Sequence, residues 1–110
     1  MPDPIAGQLE RYLDLLSARQ KLVASNIANA DTPGYRTADI DFQSELQSAL
    51  GSAPRTVEVD GLVVKNDGNN VSIDRESRML AENALRFQIA SNLLCSQVKA
   101  VRSAIQEGRG

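Results

Sequence analysis

The chain has 110 residues, enough for one small domain and few for two. Aromatic residues make up only 4% of it and Trp is absent, so packing of helix against helix is favoured over a globular catalytic core. Twelve basic and fourteen acidic residues give a net charge of −2, with no basic face large enough to follow a phosphate backbone. These numbers disfavour nucleic acid and anionic membrane surfaces as partners.

The first predicted element is an amphipathic helix over residues 5–30. Asp3 before Pro4 is typical of a helix N-cap followed by Pro at the first helical position. Apolar side chains recur in steps of four and three, which places them in one stripe along the helix. This stripe contains Leu9, Leu13, Leu16, Val23 and Ile27. We expect the helix to end abruptly at the sequence Thr32-Pro33-Gly34.

The middle of the chain, residues 31–73, carries mixed patterns. Residues 41–50 are compatible with a short helix that stops at the Gly-Ser-Ala-Pro sequence of residues 51–54. Residues 55–64 alternate valines with polar residues, and Asp60-Gly61 is a candidate turn for a β-hairpin. Because a two-stranded hairpin is only marginally stable alone, we expect a small, flexible insert.

A second long helix is predicted over residues 74–107, after a turn-forming run at residues 65–70. Asp74 is a candidate N-cap, Glu76 would lie in the first turn, and Gly108 is a candidate stop. The apolar stripe of this helix contains Leu80, Phe87, Leu94, Val98, Val101 and Ile105.

The predicted fold is mainly α: two long terminal amphipathic helices packed as a coiled-coil-like hairpin, with a short irregular or β-hairpin insert, in one domain over residues 1–110. A single helix pair covers only one side of each helix, so apolar residues outside the two stripes would stay partly exposed. These are Ile5, Tyr12, Leu15, Leu22, Ile89, Leu93 and Cys95. Apolar residues left over in this way indicate further helices supplied by neighbouring molecules.

No catalytic constellation is apparent, and we predict neither an enzyme nor a bound cofactor or metal. The chain has no His, which removes the commonest general base and metal ligand. Asp39 and Asp41 are better explained as solvated loop acids than as a carboxylate pair or a cation site. The residues from Asp67 to Asp74 resemble a calcium loop only faintly, and a structural turn is favoured. The lone Cys95 lies in an apolar run, which favours a small buried side chain over a reactive thiol.

Two asparagines near the end of the first helix are unusual, because Asn is a poor helix former. Asn26 and Asn29 admit two interpretations. Either the helix end frays towards the turn, or the two amides bond backbone groups in a neighbouring chain or in the folded-back loop.

Residues 25–36, Ser-Asn-Ile-Ala-Asn-Ala-Asp-Thr-Pro-Gly-Tyr-Arg, resemble the N-terminal signature of the flagellar rod, hook and hook-filament proteins. Together with the Asp-Ile-Asp-Phe sequence of residues 39–42, this variant is similar to the proximal-rod proteins of the bacterial flagellar basal body. Three downstream segments, at residues 67–71, 74–76 and 80–83, also resemble that group. The resemblance therefore involves both ends of the chain.

The resemblance implies a structural subunit of the proximal rod that is needed for motility. It also implies core helices at residues 5–30 and 74–107, whose two apolar stripes form an assembly seam, and a signature turn made by Asn26, Asn29, Asp31, Thr32, Pro33, Gly34 and Tyr35. The expected partners are other rod proteins, neighbouring basal-body components and the flagellar type III export apparatus. We expect the subunit in the periplasmic rod, exported without a cleaved signal peptide and without a direct membrane span.

The alternative hypothesis is a small helical export adaptor or partner-binding module, whose helix pair would hold a single partner. A rod subunit needs non-closing contacts on two or more faces, whereas an adaptor needs one. The apolar residues around both predicted helices favour the rod subunit.

Overall fold

A computed structural model describes residues 4–48 and 53–109. In chain order the elements are α1 (Pro4–Ala28), β1 (Ala38–Ile40), α2 (Phe42–Gln47), β2 (Thr56–Glu58) and α3 (Ile73–Arg109). The predicted mainly α fold is thereby confirmed, and the bounds of the two long helices differ from the predicted ones by two residues or fewer. The predicted N-cap Asp3 and the end of the predicted short helix, at residues 49–52, lie outside the described residues.

The two long helices lie side by side and run antiparallel. Near one end of the pair Asn26 of α1 meets Glu76 of α3, and further along Leu16 of α1 meets Asn83 of α3. Since α3 has 37 residues and α1 has 25, the C-terminal part of α3 extends beyond the start of α1. The molecule is accordingly elongated, measuring 70 × 25 × 18 Å.

Ser72 precedes the first residue of α3 and is its N-cap, since its Oγ accepts a hydrogen bond from the backbone N–H of Arg75 at 3.2 Å. The prediction that Asp74 is the N-cap is therefore wrong. Asp74 lies in the first turn, where its charge still favours the helix N-terminus, and it forms an exposed ion pair with Arg78 one turn later.

The apolar core is small. Among the described residues six apolar ones are buried, and they are Leu15, Leu16, Val23, Ile40, Val71 and Ala90. Leu15 was expected to stay partly exposed, and that expectation is wrong because α1 is covered on a second side by β1 and α2. The core therefore sits where both the insert and α3 pack on the middle of α1.

The insert contains the expected two-stranded antiparallel sheet, but with a different partner strand. β2 pairs with β1, with Asp39 opposite Val57, and not with the residues after Asp60. The predicted turn at Asp60-Gly61 does not form a hairpin. Gly61 has a φ of +80°, and the chain beyond it does not return alongside β2. Val63 is accordingly 86% exposed. All three residues of β2 are exposed, so the order of polar and apolar residues in β2 could not predict which strand it pairs with.

Helix α2 lies between the two strands and packs on the N-terminal half of α1. Its N-cap is Asp41, which accepts a hydrogen bond from the N–H of Ser44 at 3.3 Å. The ring of Phe42 meets Tyr12 of α1 edge to face, with centroids 5.3 Å apart, and the guanidinium of Arg19 lies over the same ring at 4.8 Å. These contacts hold the insert against α1.

Candidate functional site

The eleven residues of the predicted assembly seam are distributed unevenly between core and surface. Leu16 and Val23 are buried in the core, and Leu9, Leu13 and Leu94 are half-buried. The other six are exposed: Ile27, Leu80, Phe87, Val98, Val101 and Ile105. On α1 the stripe mostly faces inward, whereas on α3 most of it faces solvent.

The side of α3 that packs on α1 is offset from the predicted stripe. Its fully buried residues are Glu76, Asn83 and Ala90, which recur every seven positions and so form a coiled-coil-like seam. The pattern of apolar residues does not predict this face, because two of its three central residues are polar. The expectation that the predicted stripe of α3 packs on α1 is therefore wrong, except at its half-buried member Leu94.

A second apolar stripe runs along the opposite flank of α3. Leu85, Ile89 and Leu93 recur every four residues and are each more than half exposed. Helix α3 thus carries exposed apolar side chains on both flanks of the face that contacts α1. Monomeric proteins seldom expose apolar side chains in such continuous arrays, which mark surfaces for other molecules.

Asn83 is a buried polar residue at the centre of the helix pair. Its amide Nδ2 donates to the carbonyl oxygen of Leu16 at 2.8 Å and to Oε1 of Gln20 at 3.0 Å. Its Oδ1 is buried without a hydrogen-bond partner among the described residues. A buried Asn in such a seam favours one register of the two helices over others, at some cost in stability.

A nearly buried cluster of charges joins α1, β1 and α3 near the end of the helix pair at which α1 stops and α3 begins. Asp39 accepts hydrogen bonds from Arg19 Nε at 3.0 Å and from Arg75 Nη2 at 2.7 Å. Arg75 also pairs with Glu76, whose other carboxylate oxygen accepts a hydrogen bond from the Asn26 amide. Two cations and two anions make the cluster neutral, so each buried charge has an opposite charge beside it.

The carboxylates beside Arg75 raise its pKa and so stabilise its positive charge. Burial alone would lower the pKa of Arg75, but hydrogen bonds to Glu76 and Asp39 and the charges of these carboxylates raise it above the ordinary value of an arginine. A raised pKa contributes stability that is fully present below the ordinary pKa of an arginine and is lost only when the pH rises through the pKa of Arg75 in the folded state. Arg75 therefore stays charged at any pH at which the protein works.

Asp39 was interpreted as a solvated loop acid, and that interpretation is wrong. Its side chain is only 11% exposed and touches two arginines. The sequence hid this because Arg19 and Arg75 are separated from it by 20 and 36 residues. Asp41, in contrast, is exposed and caps α2.

The first part of the signature turn is organised by Asn26. Its Oδ1 accepts hydrogen bonds from the backbone N–H of Ala38 at 3.1 Å and from the Tyr35 hydroxyl at 3.0 Å, and its Nδ2 donates to the Ala38 carbonyl at 2.9 Å. Of the two interpretations left open for this residue, bonding to the folded-back loop is the one observed. Asn26 itself is buried in the folded chain.

The second part of the signature turn interlocks with the downstream loop. Asn69 is fully buried, and its amide donates to the carbonyl oxygens of Asn29 and Thr32 at 2.9 and 2.8 Å. The N–H of Gly34 donates to the carbonyl oxygen of Asp67 at 2.9 Å. Asp31, Thr32, Pro33 and Gly34 remain exposed, and Tyr35 is half-buried.

Two glycines make this close contact between loops possible. Gly34 and Gly68 both adopt a positive φ, of +76° and +88°, which side-chain-bearing residues rarely take. A Cβ on Gly68 would lie 3.4 Å from the Cα of Gly34. The sequence predicted turns at both places, but not that the turns meet.

The Asp67 region is a structural turn. The carboxylate of Asp67 accepts a hydrogen bond from the N–H of Asn69 at 3.0 Å, and Asn69 Oδ1 accepts one from Val71 at 2.8 Å. Within residues 4–48 and 53–109, no three potential metal ligands come together.

Cys95 is exposed in the folded chain, so the prediction of a buried side chain is wrong for the isolated molecule. It lies on the part of α3 whose surface is mostly uncovered. No helix in the described part of the chain combines the length and hydropathy required to cross a bilayer.

Comparison with known proteins agrees with the resemblance found in the sequence. The model of a family described as "Flagella basal body rod protein" matches residues 13–36, the segment that contains the end of α1 and the signature turn. The flagellar basal body rod protein FlgB of Escherichia coli K12 is 33% identical over 90% of this chain and 91% of its own length.

Two further bacteria give similar matches. FlgB of Yersinia ruckeri is 33% identical over 98% of this chain and its whole length, and FlgB of Borrelia hermsii is 30% identical over 87% of this chain and 91% of its own. The similarity therefore covers both long helices, the signature turn and the insert. The chain belongs to the FlgB family of flagellar basal body rod proteins.

Proposed function

We propose that the chain is a non-enzymatic structural subunit of the proximal rod, which assembles through α1 and α3 with other rod proteins and is needed for motility. The observation that carries the proposal is the pair of exposed apolar stripes on α3. One stripe includes Leu80 and Phe87, and the other includes Ile89 and Leu93. An isolated subunit gains nothing from exposing them, whereas a packed rod would bury both.

The surface area of the chain supports the same conclusion. A compact monomer of this mass has an accessible surface of about 6,000 Å². The folded chain has 7480 Å². The excess is roughly two standard contact patches of about 800 Å² each. A subunit held between several neighbours needs this much additional surface.

The position of the stripes favours the rod subunit over the adaptor. Leu85 and Phe87 face different sides of α3, since successive residues of a helix are turned by about 100°. One partner helix cannot cover both flanks. Contacts on two sides that differ in composition join subunits head to tail, and such contacts generate an open helical assembly when the rotation between subunits does not close a ring.

We further propose that the subunit lies in the periplasmic part of the basal body and reaches it through the flagellar type III export apparatus, without cleavage. This part of the proposal is supported by the family membership. Mass spectrometry of the subunit from purified basal bodies, with its first residues intact, would confirm export without cleavage.

The proposed function is tested by deleting the gene in the bacterium that carries it. The expected result is loss of swimming, with basal bodies that lack the rod in electron micrographs. A plasmid copy of the gene should restore both. Normal swimming of the deletion strain, with complete rods, would contradict the proposal.

A further inference from the structure

We infer that Asp60 is a site of spontaneous covalent modification, at which aspartate converts to isoaspartate, and that the fold protects Asp67 from the same reaction. These two aspartates are the ones that are followed by glycine in the sequence. Their immediate sequence is therefore equally prone to the reaction. The structure distinguishes them, because hydrogen bonds hold one Asp-Gly pair, whereas the other makes none with the described residues. The inference does not depend on the proposed function.

The reaction consumes no reagent except water. The backbone nitrogen of the next residue attacks Cγ of the aspartate, and an N–C bond forms. The side-chain carboxyl loses its hydroxyl, which leaves as water together with the proton of the attacking N–H. Water then opens the resulting succinimide ring at either carbonyl. One opening restores aspartate, and the other gives isoaspartate, in which the main chain passes through the former side-chain carboxyl.

Glycine in the next position favours ring closure at both sites. It has no Cβ to shield its nitrogen, and its backbone rotates over a wider range than that of other residues. The remaining aspartates of the chain precede residues with side chains. Asp60-Gly61 and Asp67-Gly68 are therefore the two candidate sites.

Asp60 begins a segment that makes no hydrogen bond within the described part of the chain. The last bond before it runs from the N–H of Val59 to the carbonyl oxygen of Thr37 at 3.0 Å, and the next one along the chain begins at the N–H of Lys65. Residues 60–64 neither donate nor accept a hydrogen bond among the described residues. The backbone of this segment is therefore not restrained by hydrogen bonds.

Both reacting groups of the first pair are accessible. Asp60 and Gly61 are exposed, and Asp60 forms no ion pair with a described residue. A Cβ at Gly61 would meet nothing within 4 Å, so no neighbouring atom obstructs this part of the chain. Rotation of the backbone can accordingly bring the Gly61 nitrogen up to Cγ of Asp60 without breaking any contact described above.

In the Asp67-Gly68 pair both reacting groups are engaged. The N–H of Gly68, whose nitrogen would attack, donates to the carbonyl oxygen of Lys65 at 2.9 Å. The carboxylate of Asp67, which would be attacked, accepts a hydrogen bond from the N–H of Asn69 at 3.0 Å. Ring closure at Asp67 therefore requires both bonds to open first.

The signature turn restrains the second pair further. The N–H of Gly34 donates to the carbonyl oxygen of Asp67 at 2.9 Å. A Cβ at Gly68 would lie 3.4 Å from the Cα of Gly34, so the two backbones are in close contact. Each bond that must open lowers the fraction of molecules in which the reaction can occur. We therefore expect isomerisation at Asp67 to be slower than at Asp60 by about tenfold or more.

Isoaspartate at position 60 would change the length of the main chain. The main chain gains one methylene group and the side chain loses one, while the mass and the negative charge stay the same. Because residues 60–64 make no hydrogen bond with the described residues, no such bond in this segment depends on the length of the main chain. The modified chain should therefore keep its circular dichroism spectrum and its Tm.

Tryptic digestion separates the two sites. The full chain is incubated in its folded state at neutral pH, well below its Tm, and samples are withdrawn over several weeks. Cleavage after Arg55, Lys65 and Arg75 places the two pairs in separate peptides, residues 56–65 and residues 66–75. Isoaspartate is measured by enzymatic methylation with S-adenosylmethionine and located by tandem mass spectrometry. Its unchanged mass distinguishes it from deamidation of the asparagines in the second peptide.

The expected result is isoaspartate that accumulates in the first peptide about tenfold faster than in the second, or faster still. In guanidinium chloride the two rates should become similar, because the hydrogen bonds around Asp67 are then lost. Asn69→Ala removes the bonds from this loop to Asn29 and Thr32 and should raise the rate in the second peptide of the folded chain.

Asp60→Glu is the control for the reacting group. The longer side chain would have to close a larger, less favoured ring, so the first peptide should then gain no product. The substitution keeps the charge of an exposed residue, and the Tm should not change.

The inference is overturned if the first peptide gains no isoaspartate in the folded chain or if both peptides gain it at equal rates. It is also overturned if the difference persists in guanidinium chloride, because the cause would then lie in the sequence and not in the fold. None of these outcomes affects the proposed function, which the deletion strain tests.

Discussion

Glu76 is a fully buried carboxylate that is held by Arg75 and by the amide of Asn26. Such a group stabilises the fold only as long as its partners stay in place. Removing one member of a buried pair leaves the opposite charge uncompensated, which costs more than the pair itself contributes. The cluster therefore fixes how α1, β1 and α3 meet.

Glu76→Ala should lower the free energy of unfolding by about 3 kcal/mol, because Arg75 loses its buried partner. Urea denaturation followed by circular dichroism measures the change. The matched control is Glu82→Ala on the same helix, whose exposed ion pair with Arg86 should contribute less than about 0.5 kcal/mol. Equal effects of the two substitutions would contradict the role assigned to the cluster.

The same substitution can be compared at the buried Asn83 and at the exposed Asn92 of α3. Asn83→Asp replaces a buried donor that faces two acceptors by a charged oxygen, and the expected loss is about 3 kcal/mol. Asn92 is exposed on the same helix, so Asn92→Asp should change the unfolding free energy by less than about 0.5 kcal/mol. Thermal unfolding of both variants at the same pH measures the difference, and equal Tm values would contradict the role assigned to Asn83.

At the scale of elements, the signature turn and the loop around Asn69 act as one unit. They are 30 to 40 residues apart in sequence and are joined by hydrogen bonds from a single buried amide. Because these bonds cross from one loop to the other, neither loop holds its conformation without the other. The unit closes the end of the helix pair at which α1 stops and α3 begins.

Asn69→Ala should destabilise the fold by about 3 kcal/mol, because it removes both hydrogen bonds to the carbonyl oxygens of Asn29 and Thr32 and leaves the N–H of the buried Val71 without its acceptor. Hydrogen exchange should show faster exchange of the Gly34 amide, which bonds the other loop. The control is Asn66→Ala in the same loop, where the side chain is exposed. Unchanged protection of Gly34 in the Asn69 variant would contradict the coupling.

The sequence allowed the long helices to be predicted because their apolar residues follow a regular period, and the turns because Pro33, Gly34 and Gly68 restrict the backbone. It did not allow the pairing of β1 with β2 to be predicted, since three-residue strands carry too few alternating positions. It also did not reveal the polar face of α3. Glu76 and Asn83 become buried only because partners distant in sequence satisfy them, and no local pattern records such partners.

At the scale of the whole molecule, the radius of gyration of 18.2 Å exceeds the value of about 13 Å for a compact domain of this length. Much of α3 is therefore surface, and a substitution there can change assembly without changing the fold. The predicted assembly seam included Leu16, which is buried in the core. A charge at that position would unfold the chain and so could not separate folding from assembly.

Phe87→Asp separates an effect on assembly from an effect on folding. Phe87 is 44% exposed, so we expect a small change in Tm but loss of swimming, because the charge would enter an interface between subunits. The adjacent Gln88 is exposed on another side of α3, and Gln88→Asp should leave swimming unchanged. Normal swimming of the Phe87 variant would show that this stripe is not part of an interface.

The two tyrosines of the chain are intrinsic fluorescence probes of two different regions. Trp is absent and there are two tyrosines, so all tyrosine emission comes from Tyr12 and Tyr35. Tyr35 donates a hydrogen bond to Asn26 within the signature turn, whereas Tyr12 lies against Phe42 where α2 packs on α1. In a Tyr35→Phe chain the remaining emission reports on the contact between α1 and α2, and in a Tyr12→Phe chain it reports on the turn. Loosening of the turn and displacement of α2 can thus be followed separately by fluorescence, without any added dye.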